Sequence, residues 1–127
     1  MTGTAGRGDE RGAVTAELAL VLPVLMAVTV GLVWLLAVGA AQVRAVDAAR
    51  ETARAVARGD DQGAAVALGR RVAPPGSTVT VSRSGAEVRV TVTAAVAGPG
   101  GLFSHLPAPT VRAEAVAAQE QPAAWPP

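Results

Sequence analysis

The chain has 127 residues, 50% of them hydrophobic, with 11 basic and 10 acidic side chains and a formal net charge of +1. A charge so close to balance gives no electrostatic footprint for nucleic acid. There is no cysteine and a single histidine, His105, which excludes a disulfide framework and a thiolate metal site and leaves too few donors for a transition-metal centre. Lys, Asn, Ile and Tyr are also absent. That excludes a phosphate loop with its lysine, a Schiff-base lysine and N-glycosylation.

Residues 1–12 form a Gly-rich polar leader carrying Arg7, Asp9, Glu10 and Arg11. From Leu18 to Val43 no residue is charged, a run of 26 residues against the roughly 20 needed to cross a hydrocarbon core of about 30 Å. This predicts a transmembrane helix, with the hydrocarbon-spanning part at about 18–41. Pro23 lies within it, as membrane helices tolerate.

Past Arg44 the stretch "RAVDAARETARAVARG" keeps helical character. Asp47 with Arg50, and Glu51 with Arg54, stand at i,i+3 and are expected to pair. Gly59 is the stop signal. One helix is therefore expected over 13–58, about 70 Å long. Asp60 or Asp61 is placed to cap a short second helix over 64–72, weakened by Gly63 and Gly69 and ended by "PPG" at 74–76.

"TVTVSRSGAEVRVTVTAAV" alternates with the period of a strand. A hairpin over 78–96 is expected, with a two-residue turn at Ser84-Gly85 that sets Val81 opposite Val88 and Val79 opposite Val90. "TVRAEAVAA" at 110–118 is a third antiparallel strand after a Gly/Pro loop, and the Pro-rich tail 119–127 reads as disordered. The fold class expected is an α+β membrane protein: a long N-terminal helix, its first half transmembrane, followed by a small antiparallel β-sheet module over 60–118. So few large apolar residues give the module a thin core, which would gain by packing on the emerging helix.

Three readings suit residues 1–43. A cleaved secretory signal fits "AVGAA" at 37–41, but the apolar run exceeds the 7–15 residues usual for such a segment. A plain signal-anchor leaves Glu17 as a first-turn acid. The third takes Gly12 and Glu17 together: Gly-Ala-Val-Thr-Ala-Glu before an apolar run resembles the class III signal of type IV pilins. The wider stretch "RGAVTAELALVLPVLM…VRAVDAARETARAVARGD", with a hairpin and "TVRAEAVAAQE" after it, resembles the TadE family of tight-adherence pilus proteins over roughly 10–120. It departs at Leu18, where many family members carry an aromatic.

The resemblance implies a minor pilin or pilus assembly component with no catalytic activity and no cofactor. Prepilin peptidase would cut between Gly12 and Ala13, making Glu17 the fifth mature residue. The implied partners are the membrane, the peptidase, other pilin-like subunits and the assembly platform. A small-molecule substrate or a nucleic acid is not implied. A lone carboxylate at the centre of a membrane helix costs about 2.5–3.5 kcal/mol, less near an interface. A neighbour's α-ammonium would neutralise Glu17 and fix the axial register of bundled helices. By the positive-inside count Arg44, Arg50, Arg54 and Arg58 place the C-terminal side in the cytoplasm. The resemblance implies the reverse, with the N-terminus cytoplasmic and the module outside. The alternative to a pilin-like role is a membrane-anchored or secreted small binding module unrelated to pili. Of the remaining residues, His105 reads as a surface histidine. Trp34 fits an interfacial anchor or plain lipid or helix contact equally. Gly31 and Gly39 with Ala27, Ala40 and Ala41 would permit close helix approach.

Overall fold

A computed structural model describes residues 6–120 and 126. Of the leader and tail segments expected from the sequence, residues 1–5, 121–125 and 127 lie outside the described residues. The element order is helix α1 (Gly6–Ala57), helix α2 (Gln62–Val72), strands β1 (Thr78–Ser84) and β2 (Glu87–Ala95), a short 3-10 turn (Gly101–Phe103) and strand β3 (Thr110–Ala118). The chain divides into two units, Met1–Leu35 and Leu36–Pro127.

In the first unit, α1 begins at Gly6, seven residues before the start expected at Ala13. The charged residues of the leader are adequate helix formers, and Asp9 in the first turn suits the positive end of the helix dipole. The helix is long and apolar enough to cross a membrane, and none of its most apolar 18-residue window is buried. Leu18, Leu22, Leu25, Met26 and Leu32 are all more than half exposed. Two hydroxyls in this unit turn inward on the helix itself. Thr15 Oγ1 donates to the Arg11 carbonyl at 2.9 Å and Thr29 Oγ1 to the Leu25 carbonyl at 2.8 Å. Such back-bonding satisfies the hydroxyl within the helix itself. Pro23 lies inside the helix and has no N–H to give the Ala19 carbonyl.

In the second unit the end of α1 is closed by a Schellman arrangement. Gly59, at φ +93°, donates its N–H to the Val56 carbonyl, and Asp60 donates to Ala55, both at 3.1 Å. The expected pairs Asp47–Arg50 and Glu51–Arg54 do not form: among the described residues neither comes within 4.0 Å. These side chains point along a solvated helix face, where an exposed pair gains little over hydration. What organises this half of α1 is its alanines. Ala41, Ala45, Ala48, Ala49, Ala53 and Val56 recur at helical spacing and are buried.

Helix α2 is capped by Asp61, whose carboxylate accepts from the Ala64 N–H at 3.0 Å. The helix therefore starts at Gln62, two residues earlier than expected. Pro74–Ser77 is a tight turn. Pro75 supplies its preset φ, Gly76 takes φ +75°, and Ser77 donates its N–H to the Pro74 carbonyl at 3.2 Å. The Ser77 hydroxyl also bonds the Pro74 carbonyl.

The sheet is antiparallel, in the order β1-β2-β3. The hairpin register corrects the expected one. Ser84 pairs with Glu87, Val81 with Val90 and Val79 with Val92, so the turn residues are Gly85 and Ala86. The cause is backbone chirality. A type II′ turn needs φ > 0 at its first central position. Gly85 supplies φ +60°, and no non-glycine residue has positive φ among those described. Placing Ser84 first would have forced a side chain into that region. The shift is two in pairing, so the valines keep their face. Val79, Val88, Val90, Val92, Val111 and Ala113 are buried in one cluster with the α1 alanines. Burying a valine contributes on the order of 1.5 kcal/mol. Alanines opposite the valines let sheet and helix approach closely, which suits a chain with few large apolar residues.

Strand β3 is also tied to α1 at both ends. The Gln42 side-chain amide donates to the Arg112 carbonyl at 2.9 Å, and the Glu120 N–H donates to the Ala57 carbonyl at 3.2 Å. On the opposite face of the sheet, Arg89 bonds Glu114 at 2.7 Å and Glu87 at 3.0 Å. The hydrogen bond with Glu87, followed by the charges of both acids, holds the Arg89 guanidinium above its ordinary pKa.

Candidate functional site: the N-terminal helix

Gly12, Ala13 and Glu17 all lie in the exposed part of α1. Ala13 and Glu17 are four residues apart and share a helix face, one turn from each other. Among the described residues Glu17 has no hydrogen bond or ion pair. A Cβ added at Gly12 would meet nothing within 4 Å. Glycine in a helix interior costs about 1 kcal/mol relative to alanine, and here no packing need offsets that cost.

Among the described residues, no group of three His, Cys, Asp or Glu side chains is placed to hold a metal. His105 is exposed in the loop before β3. Arg44, Arg50, Arg54 and Arg58 are exposed along the second half of α1. Sequence reasoning missed Gln42 and Gly69, whose parts are set by tertiary contacts. Gln42 fastens β3, and Gly69 admits α2 against Thr52. No signal in the linear sequence marks either.

The architecture is an exposed apolar helix of membrane-crossing length that continues into a small α+β module, with the module packed on the helix's second half. Residues 12–54 match the family model described as "TadE-like protein", so the N-terminal helix is TadE-like from Gly12 through the apolar run to Arg54. The sheet lies outside the matched segment. No curated protein and no solved structure matches the chain significantly.

Proposed function

We infer that this chain is a TadE-type minor pilin or pilus assembly component, without catalytic activity, that works through its N-terminal helix. The observation that carries this reading is the family match, which starts at Gly12 and covers the exposed apolar segment. Prepilin peptidase cuts after Gly12 and frees the α-amino group of Ala13. The isolated position of Gly12 supports a recognition role, because no contact in the fold requires a glycine there. The N-terminus faces the cytoplasm, and the module stands outside the membrane or in the pilus.

Glu17 supplies the assembly register. It is a carboxylate at the edge of an apolar run, exposed and without a partner among the described residues. The new ammonium of a neighbouring subunit neutralises it, and an axial slip would leave both charges unpaired. Exposed Leu18, Leu22 and Leu25 then meet lipid before assembly and neighbouring helices after it. The experiment is a Glu17→Ala variant compared with Glu17→Asp for membrane insertion, processing and recovery in sheared pili or in complexes with other pilin-like subunits. Normal insertion with lost recovery for Ala, and partial recovery for Asp, is expected. Normal recovery of the alanine variant sinks the charge-pairing role.

A further inference from the structure

A groove of about 410 Å³ opens in the second unit where α1 enters the module. One wall is α1, through Ala37, Ala40, Ala41 and Arg44 at i, i+3, i+4 and i+7. The other is the Pro74–Pro75 turn with Val96 and its neighbours at the end of β2. The lining side chains are small and apolar except for one guanidinium. Arg44 is exposed, and among the described residues it has no ion pair. It is the first charged residue after Glu17. No acidic residue lines the groove.

We propose that this groove holds an anionic phospholipid, with its phosphate on Arg44 and its glycerol and first methylenes along Ala37, Ala40, Ala41 and Val96. The inference rests on the reading of α1 as a membrane anchor. On that reading Ala37–Ala41 belong to the last turns of the uncharged run, so the groove lies at the membrane boundary. From Ala37 to Arg44 the helix rises about 10 Å. That matches the depth of about 5–10 Å over which interfacial groups enter the headgroup and acyl boundary. A guanidinium at the outer rim and apolar walls below it mirror the order of a phospholipid, phosphate outward and hydrocarbon inward. Arginine binds phosphate oxygens with a two-pronged donor set. With no carboxylate beside it, the site favours a headgroup of net negative charge over a zwitterionic one.

The test uses the full chain purified in mild detergent and offered equimolar phosphatidylglycerol and phosphatidylcholine. Retained lipid is counted by native mass spectrometry. Phosphatidylglycerol is expected to be retained about fivefold over phosphatidylcholine, the ratio one basic residue supplies at an anionic surface. Arg44→Gln brings the two lipids to parity. Ala40→Leu, which fills the groove and keeps the charge, lowers retention of both. Arg50→Gln, outside the groove, changes neither. Equal retention by the unaltered chain, or an undiminished preference in Arg44→Gln, overturns the proposal. Carbonate extraction of native membranes tests the anchor separately. Release of the chain there removes the anchor reading, while the lipid count still decides whether the groove is selective.

Discussion

Gly69 of α2 lies so close to Thr52 of α1 that an added Cβ would collide with Thr52 Oγ1 and stand 3.3 Å from the Ala48 carbonyl. Thr52 is fully buried, and its hydroxyl donates to that same carbonyl at 2.8 Å. It has no free direction in which to turn. Gly69→Ala therefore destabilises the module by about 1–3 kcal/mol of overpacking, although alanine is the better helix former by about 1 kcal/mol. Thermal unfolding followed by circular dichroism reads the loss. Adding Thr52→Ala removes the colliding oxygen, so the double variant is more stable than the two single losses predict. Strict additivity would mean the two residues do not meet.

Val90 is 0% exposed at the centre of the middle strand, whereas Val116 on the outer face of β3 is 53% exposed. Val90→Ala should lower stability by roughly 2 kcal/mol, because the alanines across from it have no side-chain length with which to fill the void. Val116→Ala should stay within about 0.5 kcal/mol of the parent. Urea midpoints of the two variants in one detergent settle the comparison. Equal shifts would mean that the buried face has been assigned to the wrong side of the sheet.

The outer edge of β3 carries a readable alternation. The Val96 N–H reaches the Pro109 carbonyl at one end, and the Gln119 N–H reaches the Ala86 carbonyl at the other. Odd-numbered residues of β3 therefore bond β2, and even-numbered ones face outward. Hydrogen exchange should find the amides of Val111, Ala113, Ala115 and Ala117 protected, and those of Glu114 and Val116 fast. Glu120 is the exception among even positions, held by the Ala57 carbonyl. Uniform protection along β3 would reveal a further strand paired to this edge.

Much of this architecture is legible in the sequence because it depends on local pattern. The uncharged run from Leu18 to Val43, the alternation from Thr78 to Ala95 and the stop at Gly59 each report a physical preference of a few neighbouring residues. The hairpin turn lies one residue later than the alternation alone predicts. Ser84-Gly85 and Gly85-Ala86 both offer a glycine, and only the demand for positive φ at the first position separates them. The i,i+3 spacing of the charges in 44–58 predicts ion pairs that do not form, while the alanine stripe beneath them carries the packing. Gly69 and Gln42 depend on partners 17 and 70 residues away. No local rule distinguishes Gly69 from Gly63, yet one is held against α1 and the other lies beside its own cap. For the site, the sequence pattern at Gly12 and Glu17 already shows an acid at the mouth of an apolar run. The structure adds that both are exposed and that no packing contact explains the glycine.

The most direct measurement is the mature N-terminus of the membrane-extracted chain, by intact-mass and terminal-peptide spectrometry, with and without a prepilin peptidase and alongside Gly12→Val. Gly12 has open space around it, so the variant leaves the module's unfolding temperature unchanged. A peptidase-dependent start at Ala13, abolished by Gly12→Val, is the result predicted. A start near Ala41, or an uncut leader in cells that carry the peptidase, would contradict a processed pilin-like subunit.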